Sequence, residues 1–204
     1  VHDDLDRTFS RFMTFPETNV TIGVLDRIDL MAFKVPGNDF ECPDLLGYIR
    51  RETNDEDQVE FQIRIMSALP RAEFRSTCAH EYSHAWVYEN VPVARRKKLG
   101  RDAHEGFCEL ISFLLMDAQQ EEAEKKAIRQ NGYTRGQVDL FIEAEHRYGL
   151  DEILDWMKYG VDAKLDPAHL DRVRDVVVPK TTKSTSTAMP VYATEVRPAP
   201  DKLV

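Results

Sequence analysis

The sequence has few cysteines, no excess of positive charge and no long hydrophobic run. Its three cysteines, Cys42, Cys78 and Cys108, show no C-x-x-C spacing, which excludes a zinc ribbon and a disulfide framework and favours a reducing compartment. The longest apolar stretches, such as Leu110 to Met116, are far too short to cross a membrane. We therefore expect a cytoplasmic protein without a membrane span.

Basic residues are too few for a nucleic-acid surface. The chain has 27 Lys and Arg against 36 Asp and Glu, so its formal net charge is -9. Phosphate recognition needs a clustered basic face. The single basic run, Arg95 to Lys98, is expected to be a solvated loop, and no nucleic-acid partner is expected.

An apolar signal region is missing from the first residues, which begin at Val1. We expect targeting information to lie outside this sequence, along with an upstream region through which a regulatory partner could act. The 204 residues suffice for one globular domain, which we place at residues 1–178. Residues 179–204 are rich in Ser, Thr and Pro and are expected to form a low-complexity tail.

Hydrophobic periodicity predicts an α+β fold. Val59 to Ile65 alternates apolar and polar residues as a strand does, and Val20 to Leu25 and Leu30 to Val35 are further strand-like stretches. The alternating strand could form the edge of a substrate cleft or could lie inside the sheet. We expect a small, mostly antiparallel N-terminal sheet that packs on a metal-bearing helix and is followed by a helical C-terminal part.

Helical spacing dominates after Pro70. The first helix is expected to end near Asn90, and the second to run from near Asp102 through a charged segment. Further helices are predicted up to Gly149, at about 151–158 and at about 167–177, the last with Asp166 as its N-cap.

The strongest chemical signal is an H-E-x-x-H pattern in the first of these helices, formed by His80-Glu81-Tyr82-Ser83-His84. Positions i and i+4 share one helical face, so both imidazoles can bind one ion. Zinc suits two neutral imidazoles, and a catalytic zinc needs a third protein ligand and an open position. Such residues can share a helix by accident, but the pattern and its helical setting together favour a metal site.

A glutamate at the start of the second helix is the candidate third ligand. The metzincin class needs a histidine six positions after His84, where Asn90 stands, so that class is excluded. Glu105 could complete a two-His-one-Glu site. Its alternative is a capping box with Asp102. Because the histidine pair needs a third ligand, we favour the interpretation of Glu105 as a metal ligand.

Neighbouring side chains complete the expected surroundings of the metal. Glu109, one turn further along, could accept the free N–H of His80, or could be an exposed helical glutamate. His104 competes as a ligand but points about 100° away from the glutamate beside it. Cys78 and Cys108 are expected to serve core packing.

The segment Glu105-Gly-Phe-Cys-Glu109 resembles the N-E-G-F-A-E signature of aminopeptidase N-like gluzincins. In that family the glutamate before glycine binds zinc, which assigns this role to Glu105. Tyr133-Thr-Arg-Gly136 is similar to their Y-E-K-G segment, whose tyrosine stabilises the oxyanion of the tetrahedral intermediate. The resemblance therefore makes Tyr133 a candidate transition-state donor.

A resemblance that covers more of the chain, from about residue 68 to residue 150, is to the plant ubiquitin-activated LIM-domain peptidases that limit organ size. It is carried by Ala68-Leu-Pro-Arg71, Ala79 to Trp86, Glu105-Gly-x-Cys108 and Tyr148-Gly-Leu150. His104 and Glu109 depart from the Glu and Gln expected in that family. These 204 residues contain neither a LIM zinc module nor a ubiquitin-interacting helix, so ubiquitin activation is not carried over.

Both resemblances imply a zincin-like (gluzincin) fold and zinc-dependent hydrolysis of peptide bonds in protein or peptide substrates. One Zn²⁺ would be held by His80, His84 and Glu105, and Glu81 would be the general base that takes a proton from the attacking water. The alternative is a catalytically idle zinc-bound domain that acts as a protein-interaction module. Such a module has no need of Glu81.

Overall fold

Helices and strands occupy most of residues 1–33, 46–54, 57–179 and 194–196, which are the residues that the computed structural model describes. The fold class is α+β, as expected. The α-helices are α1 His2–Phe9, α2 Arg27–Phe33, α3 Arg71–Asn90, α4 Val93–Arg96, α5 Arg101–Ala118, α6 Glu122–Gln130, α7 Gln137–Tyr148 and α8 Leu150–Tyr159. The strands are β1 Val20–Leu25, β2 Gly47–Thr53, β3 Val59–Met66, β4 Val177–Pro179 and β5 Thr194–Val196. None of the helices in these ranges has the length and apolar character that crossing a membrane requires.

The alternating strand β3 is the middle strand of a three-stranded sheet in the order β1-β3-β2. It pairs antiparallel with β2 and in parallel with β1, so the expectation of a mostly antiparallel sheet is only half right. Since β2 and β3 form a hairpin, β1 occupies the other side of β3. Ile63 and Ile65 are fully buried. The cleft-edge interpretation of Val59 to Ile65 is therefore wrong, and its alternative, a strand inside the sheet, is confirmed.

Two stretches fold differently from their sequence patterns. Leu30 to Phe33 belongs to α2 instead of a strand, because Asp26 Oδ1 accepts the N–H of Asp29 at 2.9 Å and Leu30 is fully buried on the helix. Val35 lies outside the described residues.

The helix expected at 167–177 is only a 3-10 turn, Leu170–Arg174. Asp166 caps a turn, since its Oδ1 accepts the N–H of Ala168 at 2.9 Å. The backbone of β4 then pairs antiparallel with β5, which lies within the expected tail. The rest of residues 180–204 is outside the described part of the chain.

The basic run is not a solvated loop, because its first residues form α4. Arg95 is only 6% exposed, and its guanidinium donates to the backbone carbonyls of Asp162 at 2.6 Å and Trp156 at 3.2 Å. The guanidinium carbon also lies 4.7 Å from the centroid of the Trp156 ring. Arg95 therefore joins α4 to the C-terminal end of α8.

The contact between α3 and α5 forms the centre of the fold. Tyr82 and Trp86 of α3 are buried, and so are Phe107 and Leu110 of α5. The Ser112 hydroxyl donates to the Ser76 carbonyl at 2.9 Å across the same contact. Apolar burial of this kind contributes roughly 1.5–3 kcal/mol for each large side chain. The packing brings the middle of α3 against the beginning of α5.

A glycine permits the close approach of α5 to α7. A Cβ on Gly106 would lie 2.7 Å from Gln137 Cβ and 3.2 Å from Phe141 Cδ2, both on α7. Such distances are below normal contact, so the two helices pack this closely only without a side chain at position 106. The glycine beside Glu105 is thus required by packing.

Gly106→Ala is expected to destabilise the fold by about 1–3 kcal/mol, because α7 must move to admit the methyl group. Thermal unfolding followed by circular dichroism measures the change. Gly132→Ala is the control, since a Cβ there meets nothing within 4 Å. Equal melting temperatures for the two variants would contradict the close packing.

Candidate metal centre

Three side-chain atoms of α3 and α5 that are able to bind a metal lie close together. His80 Nε2 lies 3.1 Å from His84 Nε2 and 3.2 Å from Glu105 Oε2, and His84 Nε2 lies 3.5 Å from the same oxygen. Bonds of about 2.0–2.1 Å in a tetrahedral zinc site separate the ligand atoms by about 3.3 Å. The three atoms therefore have the spacing of ligands around a single ion.

Glu105 takes this position because of where α5 begins. The N-cap residue is Gly100, and no side chain caps the helix, so Asp102 stands inside the first turn instead of at the cap. The capping-box alternative for Glu105 is therefore not what the structure shows. The carboxylate is 6% exposed and turns towards the two imidazoles of α3.

Cys108 offers a second possible ligand set. The described residues contain a possible metal-binding group of His80, His84 and Cys108, whose ligand atoms lie within 4.8 Å of one another. The Cys108 Sγ is 3.5 Å from His84 Nδ1, the opposite side of the ring from Glu105. Burial keeps the pKa of the Cys108 thiol well above its ordinary value, which disfavours the thiolate that metals bind.

The carboxylate set is the better match to a single ion, since its atoms are closer together than those of the set with Cys108. Cys78 and Cys108 are both free and buried in the core, as expected. Cys42 lies outside the described residues.

The charged side chains of the site compensate one another. Burial alone would lower the pKa of His80, but the hydrogen bond with Glu105 and the charges of Glu109 and Glu105 raise it to about 9. Burial alone would raise the pKa of Glu105, but His84 and His80 hold it well below its ordinary value. The surroundings therefore favour the ionised form of Glu105 and the protonated form of His80, whose charges balance each other.

The side chain of Glu81 extends from α3 towards the outer strand β2. It is 6% exposed, and burial raises its pKa although His84 and His80 act in the opposite direction. A Cβ on Gly47 of β2 would lie 3.0 Å from Glu81 Oε1. The missing side chain at position 47 therefore leaves room for the carboxylate, a contact for which the sequence offers no local signal.

Glu109 approaches the other nitrogen of His80. Its Oε1 lies 3.7 Å from His80 Nδ1, and it accepts a hydrogen bond from Asn131 Nδ2 at 3.3 Å. Glu109 is 8% exposed, so the alternative of an exposed helical glutamate is wrong. Burial raises the pKa of this carboxyl, with His80 acting against the increase.

Tyr133 is connected to the same network through the turn that holds it. Asn131 accepts the backbone N–H of Tyr133 at 3.1 Å through its Oδ1. The Tyr133 hydroxyl accepts a hydrogen bond from Arg101 Nη2 at 3.0 Å, and the guanidinium carbon lies 5.0 Å from the ring centroid. Arg101 stands one helical turn before Glu105 on α5.

His104 lies on the far side of His84 from Glu105. Its Nε2 is 3.2 Å from His84 Nδ1, and the two rings meet edge to face with centroids 4.9 Å apart. Burial and the neighbouring His84 lower the pKa of His104 to about 3, so the imidazole is neutral at neutral pH. The sequence indicated that His104 points away from Glu105 but not that it meets His84.

The family comparison covers this whole site. A family model described as DA1-like, Protein DA1, matches residues 45–159, more than half of the chain and the span from the start of β2 to the end of α8. It agrees with the resemblance to the organ-size family at the level of DA1-like proteins, and it lends no support of its own to a gluzincin or aminopeptidase N relationship. Searches of curated proteins and of solved structures found no match. The chain belongs to the DA1-like family.

Proposed function

We propose that the chain is a zinc-dependent metallopeptidase of the gluzincin type that hydrolyses peptide bonds in protein or peptide substrates. The convergence of His80 Nε2, His84 Nε2 and Glu105 Oε2 carries the proposal. Two imidazoles and one carboxylate are a ligand set of catalytic zinc sites, which keep a fourth position open. A bound zinc ion acidifies water and polarises a substrate carbonyl.

The chemistry of the donor atoms narrows the choice of ion. Magnesium and calcium prefer oxygen ligands, so two imidazoles disfavour them. The same set also suits non-haem iron, whose oxygenases use two histidines and one carboxylate. Glu81, directly after the first histidine, favours hydrolysis at a zinc site because that order is typical of zinc peptidases.

Glu81 is the proposed general base. Its burial raises the carboxyl pKa above the ordinary value, and a stronger base accepts a proton more readily from a weak acid such as water. The carboxylate lies beside β2 and next in sequence to His80. It would take the proton of the attacking water and return it to the leaving amine.

The outer strand β2 offers a place for an extended peptide. It lies on the sheet edge and packs against α3, with Gly47 next to the Glu81 carboxylate. A peptide that added to this edge by backbone hydrogen bonds would run past the proposed base. This role replaces the one expected for β3.

Tyr133 is the proposed donor to the oxyanion. A phenol whose oxygen accepts a hydrogen bond from a cation, as Tyr133 does from Arg101, is polarised and becomes a stronger donor. The turn that carries it is held by Asn131, which also contacts Glu109. Asn131 therefore connects Tyr133 to α5, the helix that carries Glu105.

His80→Ala and Glu105→Gln are each expected to reduce bound zinc from about one ion per chain to near zero, because each removes a ligand. Cys108→Ser should retain the ion. Elemental analysis after dialysis against a chelator provides the measurement, with circular dichroism as a check on folding. Zinc loss from Cys108→Ser with retention in Glu105→Gln would place Cys108 in the ligand set, and iron in the wild type would contradict the zinc assignment.

Glu81→Gln is expected to keep its zinc. Its rate of cleavage of a proteome-derived peptide library should fall by about 10²–10⁴-fold, since an amide cannot take the proton. Mass spectrometry of the products measures the loss. Glu89→Gln, an exposed position two turns along α3, is the matched control and should cleave like the wild type. A wild type that cleaves no better than the Glu81 variant would favour the idle, interaction-module alternative.

Tyr133→Phe is expected to lower kcat by about 10²-fold or more, because one donor to the developing oxyanion is lost. Zinc content should not change. Steady-state kinetics on a peptide selected from the library measures the effect, and Tyr159→Phe on α8 serves as the control. An unchanged kcat would remove Tyr133 from the mechanism.

A further inference from the structure

His84 makes contacts through both of its ring nitrogens. Its Nε2 faces His80 and Glu105, as described above, and its Nδ1 lies 3.2 Å from Nε2 of His104. The first turn of α5 therefore supplies both the carboxylate that faces Nε2 and the imidazole that faces Nδ1. This second contact has no part in the proposed mechanism.

A neutral imidazole carries one N–H, and a nitrogen that binds a metal must present its lone pair. If His84 binds through Nε2, its proton is on Nδ1 and needs an acceptor. The partner of a metal-binding histidine fixes both the tautomer and the orientation of the ring, and it is ordinarily a carboxylate or a carbonyl. Around His84 the atom in that place is the Nε2 of His104.

We propose that His104 is a positioning residue of the metal centre: it accepts the Nδ1–H of His84 and so leaves the Nε2 lone pair of His84 for the metal. The inference rests on the proposed zinc site. It also assigns the single proton of His104 to its own Nδ1. The edge-to-face contact of the two rings holds the pair in this arrangement.

The buried carboxyl groups around His84 explain why its acceptor is the imidazole of His104 and not a carboxylate. Glu81, Glu105 and Glu109 are all buried near the histidines, and each is less than 9% exposed. A carboxylate in place of His104 would add a fourth negative charge to this region at a high desolvation cost. A neutral imidazole nitrogen orients His84 without that charge.

Cys108 is the competing partner of the same nitrogen. Its Sγ is 3.5 Å from His84 Nδ1, and it follows His104 by one turn on α5. Sulfur is a weak acceptor and a thiol a weak donor, so the shorter contact with His104 dominates. Cys108→Ala therefore serves as a control that removes a neighbour of Nδ1 but not its main acceptor.

Two substitutions of His104 separate its packing from its hydrogen bond. His104→Phe keeps a ring against His84 but removes the acceptor, and it is expected to weaken zinc binding by about 10–100-fold. His104→Gln restores an acceptor oxygen, and it should stay within about threefold of the wild type, as should Cys108→Ala. Competition with a chromophoric chelator on the full chain measures the affinities.

Nitrogen-15 NMR of the imidazoles provides a readout that packing alone would not move. The zinc-loaded wild type should show His84 as the Nδ1–H tautomer and His104 with an unprotonated Nε2 that accepts this proton, and His104→Gln should keep the Nδ1–H tautomer of His84. Because the Gln variant and the wild-type spectrum do not depend on His104→Phe, they test the proposal even where the Phe variant fails to fold.

The outcomes are distinguishable. Zinc affinity in His104→Phe equal to that of the wild type, or His104 observed with its proton on Nε2 in the zinc-loaded protein, overturns the positioning role alone. His84 observed as the Nε2–H tautomer in the zinc-loaded protein removes that nitrogen from the ligand set and overturns the proposed site together with the positioning role. A wild type that binds no zinc overturns the proposed function and the positioning role with it.

Discussion

The Glu105 carboxylate lies between two imidazoles of α3, and this buried polar contact constrains how α5 can pack against α3. A charge this deep in a protein is stable only where it is paired and hydrogen-bonded, and His80 and His84 provide both. The apolar packing of the two helices and the hydrogen bond from Ser112 to Ser76 stabilise the same helix contact. Packing therefore preforms the site, so little conformational entropy remains to be lost when an ion binds.

The pKa changes around the site come first from burial and then from the charges of the neighbouring carboxyl groups and imidazoles. Burial raises the pKa of Glu81 and Glu109, and the hydrogen bond with Glu105 and the neighbouring carboxylates raise the pKa of His80. A divalent cation bound here would supply positive charge in place of a proton on His80. Metal binding and proton release are therefore linked in this chain.

The helical part of the site could be predicted because its information is local. An i, i+4 histidine pair within a helical pattern places two ring nitrogens on one face, and the structure has them 3.1 Å apart. The contacts of Gly47 with Glu81, Asn131 with Glu109 and His104 with His84 join residues from different elements, so no spacing in the sequence reveals them. The error at Leu30 to Phe33 has a related cause, since short apolar runs do not distinguish helix from strand and their outcome depends on tertiary packing. At 167–177 the expected N-cap Asp166 accepts the N–H of Ala168 in a turn, and only a 3-10 turn follows.

The first nine residues of α5 carry Arg101, His104, Glu105 and Glu109. Arg101 contacts Tyr133, His104 contacts His84, and the two glutamates approach the two ring nitrogens of His80. Their spacing along one helix sets all four contacts at once. Inserting or deleting a single residue between Arg101 and Glu109 would rotate one part of the segment against the other by about 100°, so the four contacts could no longer form together. Substitution and length variation therefore have different consequences here: a substitution removes the contact of one side chain, whereas a change of length displaces several at once.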